Sequence, residues 1–475
     1  MAMRYYRVAL TLDGPIHIGD GEKYGGKDYF LRKERISVID SRRLVSKLTD
    51  DQLDRYCRFL EEDSRTGLHD FLEREPEIHQ IADGCMLYQV DGNLTQDRRG
   101  LYQYFDVLRF VKDACGYPYV PGSSVKGLFR TALLTYLVAH DRSKFALLYD
   151  RNALLRDTKR TDRAIQRRAL WLERPVATDA NLVNDIMKYV AVSDSDPLPT
   201  SSLAFVKKYD KFSKRDDGRH KKDMGRMSDS AYYAGNELNI YRECLKPGTQ
   251  VSMMLTVDEA IDTYLGDLKL DTQGLYELMK FSYDLYEKDF LDHFDMRPDA
   301  LAKGEGGSGG GRCHYIYQSG LFAGSCCRNS AIGTTGYCHT HQSYALASSA
   351  AAGCPMACSC YLGGGTGFAA HTIVSALFDD VVRVSETSHI LYKQFPTRIA
   401  SSMHAELRHN VLGAGFKPHN MRALYRNGHL EKAKQDHRHW RDSELGVSPH
   451  TLKMGKIGAS LYEMGKCQIR FEELT

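Results

Sequence analysis

Hydrophobic and polar positions alternate along RYYRVALTL (residues 4–12), the two-residue period of a strand with one buried face. GPIHIGDG (14–21) reads as a glycine-rich turn or a second short strand, and YFLRKERISVID (29–40) as a β-hairpin. SRRLVSKL opens on a serine suited to capping a helix, and residues 51–80 carry a helical pattern. In YVPGSSVKGLFRTALL (119–134) the apolar positions 125, 128, 129, 132, 133 and 137 predict an amphipathic helix beginning at the Pro-Gly-Ser-Ser turn. Residues 141–174 are basic and helical or irregular. VKKYDKFSKRDDGRHKKDMGRM (206–227) has few apolar anchors and is expected to be a long loop.

Two β-rich runs flank Lys246-Pro247-Gly248 in LNIYRECLKPGTQVSMMLTVD, a turn signal, and helical patterns follow over 259–292. Beyond them come a KGEGGSGGG linker, a cysteine-rich tract, a glycine turn opening a helix in YLGGGTGFAAHTIVSALF, and a terminal hairpin. Strands and helices mix without a regular βα repeat, so the expected class is α+β.

Composition narrows the partners. The chain has 475 residues, of which 42% are hydrophobic and 26% charged, the balance of a folded protein rather than a disordered one. Net charge is +3, so any polyanion-binding face must come from local clustering. No apolar run approaches the roughly 20 residues that span a bilayer. The N-terminal alternation lacks a secretory core, which gives a cytoplasmic expectation, with the twelve cysteines as thiols or metal ligands rather than disulfides.

The helix start carries the first candidate chemistry. Ser123 or Ser124 can cap it, Gly122 permits close backbone approach, and the free amides of a first turn attract anions. Lys126 and Arg130 stand one turn apart, where like charges repel unless an anion lies beside them. Ordinary capping with two solvated cations accounts for the same spacing.

LDGPIHIGDG, YVPGSSVKGLFRTALL and LGGGTGF together resemble the RAMP superfamily of CRISPR proteins. NELNIYRECLKPGTQVSMMLTVD and PHTLKMGKIGASLYEMGKC are similar, more narrowly, to the fifth-subunit family of the type III-A Csm effector complex. The resemblance implies tandem ferredoxin-like (RRM-related) domains, placed at 1–255 and 256–475, with a Gly/Cys-rich insert at about 303–361 in the second. It implies a non-catalytic crRNA-binding subunit that caps the backbone filament at the crRNA 3′ end and is needed for crRNA maturation and antiviral defence. The implied partners are crRNA, a neighbouring backbone RAMP subunit, the small subunit and host nucleases, with no membrane. Its motif positions here, Ser123, Ser124, Lys126, Arg130, Gly363, Gly364, Gly365 and Gly367, carry the implied RNA contacts.

Two basic clusters fit such a partner. Residues 206–227 hold nine Lys/Arg against four acids, and residues 403–441 hold eight against three, with six histidines and Trp440. Solvated polar surface is the alternative for both. His17 is the candidate for the alternative reading, a metal-independent RNA-processing endonuclease, because histidine serves as acid or base in such cleavage. No second acid/base partner accompanies it, and Asp216–Asp217 read as charge balance within the basic stretch.

Seven cysteines fall between 313 and 360 with His314, His339 and His341 among them, dense enough for a structural zinc on Cys326, Cys338, Cys354 and Cys358. No C-x-x-C pair is present. From Gly306 to Phe378 there is no Asp or Glu, and Arg312 and Arg328 are the only Lys/Arg. A metal site, an out-of-frame or disordered insert, and buried thiols all stand as readings of this tract.

Overall fold

A computed structural model describes residues 2–32, 35–62, 66–90, 95–96, 102–146, 158–172, 181–216, 235–294, 357–380, 382–394, 423–426, 429–432, 442–458 and 460–474. The N-terminal alternation becomes the strand Met3–Leu12, with Tyr6, Val8, Leu10 and Leu12 buried. It is the middle of a five-stranded antiparallel sheet ordered Ala357–Tyr361, Lys466–Leu474, Met3–Leu12, Gln250–Asp258, Val190–Val192. Tyr6 pairs with Leu255 on one side and Glu473 on the other, which fixes both registers.

The buried face of that sheet receives two helices, Gly122–His140 and Thr272–Asp289. Phe129 meets Phe471 across the layer, and Leu133, Leu255, Val257, Leu275 and Leu278 close the space between helices and sheet. Each aliphatic or aromatic side chain sealed there contributes roughly 1.5–3 kcal/mol relative to exposure. Chain order through the layer is strand, helix, two strands, helix, strand, the split β-α-β unit, with Ala357–Tyr361 added at its edge.

The second sheet has six strands, in the order Ser460–Glu463, Thr451–Ile457, Leu203–Phe212, Gly235–Leu245, Val107–Phe110, Gly19–Tyr24. Gly235–Leu245 leads through the Lys246-Pro247-Gly248 turn into Gln250–Asp258, so one hairpin-like passage joins the two sheets. A third sheet of Tyr29–Arg32, Arg35–Ile39 and Met86–Val90 packs with helices Asp50–Glu61, Leu68–Arg74 and Pro76–Asp83 around its own core of Phe30, Tyr56, Phe59 and Phe71.

The mixed α/β class stands, and the sheets bear on three further expectations. The boundary at 255/256 falls inside the strand Gln250–Asp258, and strands from both halves share the five-stranded sheet, so the division does not follow the sheets. Among the described residues the six-stranded sheet does not repeat the strand-helix order of the first. The loop expected over 206–227 begins as strand, because Leu203–Phe212 runs through the middle of the six-stranded sheet. Its lysines hid the pattern: Lys207, Lys208 and Lys211 carry charge on stems that lie along the sheet. Residues 217–234, 301–356 and 403–422 lie outside the described residues, and with them half of the first basic cluster and most of the second and of the expected insert.

Candidate nucleic-acid interface

The glycine loop follows the edge strand Ala357–Tyr361. Gly363, Gly365 and Gly367 have φ of +86°, +88° and +99°, the region that side chains disfavour. The Gly364 amide donates to the His17 carbonyl at 2.7 Å, and a Cβ on Gly363 would stand 2.4 Å from that same oxygen. A Cβ on Gly365 would come within 3.3 Å of the Arg242 guanidinium, and one on Gly367 within 3.0 Å of Lys453 Cγ. The loop therefore lies directly on His17, Arg242 and Lys453.

Beneath it the six-stranded sheet gathers charge. Asp210 pairs with Lys453 in register, and Lys453 Nζ lies 3.0 Å from Asp210 Oδ1, with Lys208 Nζ 3.6 Å from the same oxygen. Burial pushes the Lys453 ammonium below its ordinary value; Asp210 draws it back up, while the charges of Lys208 and Arg242 push it further down. Two lysines thus share one carboxylate, with the charge of Arg242 felt at Lys453, an arrangement that an added anion relieves. Arg242 and Lys453 come from segments already singled out in the sequence, but no local spacing links them. They meet only because three strands pair.

The helix start is built differently from the expectation. The Gly122 amide donates to Asp194 Oδ1 at 2.8 Å, so the chain's own carboxylate occupies the N-terminal anion position, and neither Ser123 nor Ser124 caps the helix. Gly122 allows close approach to this chain's own backbone, since a Cβ there would stand 2.2 Å from the Val192 carbonyl. Arg130 is held by Asp185 at 2.7 Å and by Gln166 at 3.0 Å. Ser123 is exposed, and Ser124 and Lys126 are half-buried. The helix begins against Val190–Val192, one edge of the five-stranded sheet, whereas the glycine loop leaves the opposite edge. The structure thus brings Gly363, Gly364, Gly365 and Gly367 together with cations and leaves Ser123, Ser124, Lys126 and Arg130 as a separate patch.

His17 is 6% exposed. Its Nδ1 donates to the Glu243 carbonyl at 2.8 Å, which makes Nε2 the unprotonated nitrogen, and burial pushes its pKa down. The neutral ring packs edge-on to Phe110, and the residue's main-chain carbonyl accepts from the Gly364 amide of the glycine loop. The Glu243 carboxylate is fully buried, accepting from Lys112 Nζ at 2.5 Å, the Tyr88 hydroxyl at 2.5 Å and the Phe110 amide at 2.9 Å. Tyr88 belongs to the third sheet, so this carboxylate ties that module to the strand carrying Arg242.

Of the four expected zinc ligands, Cys326, Cys338 and Cys354 lie outside the described residues. Cys358 is buried in the core on the Ala357–Tyr361 strand, where burial raises its thiol to about 12. Among the described residues no group of three or more His, Cys, Asp or Glu is placed to hold a metal. No described helix is long and apolar enough to cross a membrane.

Comparison with known proteins agrees with the motifs. Curated relatives named "CRISPR system Cms protein Csm5" are 26% identical over 273 residues in Mycobacterium tuberculosis (strain H37Rv), covering 54% of this chain and 67% of that one. The counterpart of the same name in Streptococcus thermophilus is 23% identical over 264 residues, covering 54% and 66%. A chain of the solved "Csm-crRNA-target RNA ternary complex in type III-A CRISPR-Cas system" superposes with a TM-score of 0.51 at 16% identity, covering 98% of this chain and 100% of that one, a likeness of fold. The RAMP superfamily model matches residues 9–295, more than half of the sequence. With its motifs laid out on a split β-α-β layer and a glycine loop, this chain belongs to the RAMP superfamily.

Proposed function

We propose that this chain is a crRNA-binding, non-catalytic subunit of a type III-A Csm effector complex, capping the backbone filament at the crRNA 3′ end and needed for crRNA maturation. One observation carries the RNA-binding part. The loop with left-handed glycines at 363, 365 and 367 presents a side-chain-free surface against Arg242 and Lys453, with the charge of Lys208 felt at Lys453. Such a surface lets sugar–phosphate approach the backbone closely while the cations neutralise it, which is how single strands are held without base readout. The relatives' name and the solved complex whose fold this chain shares support its place in such an assembly, with crRNA and neighbouring backbone and small subunits as partners in the cytoplasm.

The non-catalytic part of the reading is supported by His17, whose neutral ring is buried with Nδ1 bonded to the Glu243 carbonyl, while its main-chain carbonyl holds the loop. A structural zinc on the cysteine tract is a separate proposal, decided by zinc content per chain after chelation and desalting.

The test is co-expression of the other complex subunits with and without this chain, followed by sizing the RNA that co-purifies. The expected result is mature-length crRNA only when the chain is present, together with unchanged length of RNA incubated with the purified chain alone. A chain that ignores single-stranded RNA at low salt, or that shortens it unaided, overturns the reading.

A further inference from the structure

Two buried cysteines face each other across the strand pair that carries the glycine loop. Cys360 and Cys467 are direct partners in the antiparallel register of Ala357–Tyr361 with Lys466–Leu474. Their sulfurs stand 3.3 Å apart, and the residues are 4% and 0% exposed. We infer that Cys360 and Cys467 form a redox-active dithiol, oxidised by a peroxide to a cross-strand disulfide that staples the base of the glycine loop to the C-terminal strand.

The geometry favours this pair over its neighbours. Direct cross-strand partners place their Cα atoms about 4.5–5.5 Å apart, inside the range a disulfide spans. Cys358, two residues earlier on the same strand, is opposite Ile469, so it has no thiol in register. Cys57 and Cys115 are exposed and belong to other parts of the fold. Closing the remaining gap between the two sulfurs needs a small inward shift of an edge strand that is hydrogen-bonded on one side only.

The step balances as two successive displacements. One thiolate attacks a peroxide oxygen, giving a sulfenic acid and releasing hydroxide. The second thiol then attacks the sulfenic sulfur, forming the S–S bond and releasing water. Two thiol hydrogens leave, and the peroxide is reduced to two waters.

The consequence concerns the loop. Leu362 donates to the Gly465 carbonyl at 2.9 Å, so the strand pair is already tied at the loop's root, and Gly363 follows immediately. A disulfide two residues before Leu362 fixes that root covalently and limits opening of the edge.

The experiment uses the full chain, treated with hydrogen peroxide under native conditions, alkylated, digested without reduction and mapped by mass. The expected result is a linked peptide pair containing Cys360 and Cys467, about 2 Da lighter than the two reduced peptides together, returned to free thiols by dithiothreitol. The Cys358→Ala variant retains the linkage, whereas Cys467→Ala loses it, and the wild-type map stands whether or not that variant folds. Linkage of Cys360 or Cys467 to any other cysteine, or both recovered as free thiols while Cys57 and Cys115 are oxidised, overturns the inference.

Discussion

The guanidinium of Arg130 lies 2.7 Å from the carboxylate of Asp185, and this pair decides what the most conspicuous motif in the sequence does. The motif's arginine anchors the Gly122–His140 helix to the segment entering the edge strand Val190–Val192, and its second bond reaches Gln166 on a neighbouring helix. Arg130→Ala should therefore act first on stability. The pair is partly exposed, so the loss is about 1 kcal/mol, read as a lower urea midpoint with unchanged slope. RNA affinity should change less than for Arg242→Ala. An Arg130→Ala chain of unaltered stability and tenfold weaker RNA binding would reverse that assignment.

Phosphate contacts make a quantitative signature at the other site. Arg242→Ala and Lys453→Ala should each weaken binding of single-stranded RNA evenly across sequences. Each should also reduce the slope of log K against log salt by about 0.7. Fluorescence anisotropy on two unrelated RNA sequences at 50–300 mM salt reads both quantities. A sequence-dependent loss would mean that these residues read bases rather than phosphates.

Much of the architecture was legible because burial writes itself into local periodicity. The first strand, the helix after Pro121, the turn at Lys246-Pro247-Gly248 and the terminal hairpin are patterns of a single segment, and each appears close to where its pattern lies. The strand Leu203–Phe212 was hidden since its lysines make a polar string, although the chain on both sides is hydrogen-bonded in the sheet. The site divides the same way. Glycines announce a loop, but nothing local says that Arg242 and Lys453, 211 positions apart in the chain, meet above Asp210. Asp194 could not be assigned as the helix cap, because its partner Gly122 is 72 residues away.

Glu243 offers a sharper stability test than any surface charge. Removing its carboxylate leaves Lys112, 8% exposed, as an uncompensated charge and strips partners from Tyr88 and the Phe110 amide. Glu243→Ala should cost about 3–5 kcal/mol. Lys112→Met combined with Glu243→Leu should recover a substantial part, since the ion is then absent rather than orphaned. Chemical denaturation of the two variants gives the comparison, and equal destabilisation by both would show that the pair's charge is immaterial.

Acid should weaken the fold through its buried histidines. Burial holds His17, His69 and His293 below the ordinary histidine value of 6.5. As pH falls past about 6.5 the unfolded chain takes up these protons first, while the folded chain resists them. The unfolded state therefore gains relative stability with each step downward, until pH reaches the folded values and the two states bind protons equally. For His17, nearly sealed from solvent, the slope within that window has an upper limit of about 1.4 kcal/mol per pH unit, the exchange of one proton. Melting temperatures from pH 7.5 to pH 5.5 should decline accordingly. His17→Asn places an amide donor where Nδ1 stands, keeping the bond to the Glu243 carbonyl without a titrating group, so its decline should be shallower than that of the unaltered chain. Melting temperatures that rise on acidification, or identical slopes for the two proteins, would show that this histidine is not held neutral by the loop packed against it.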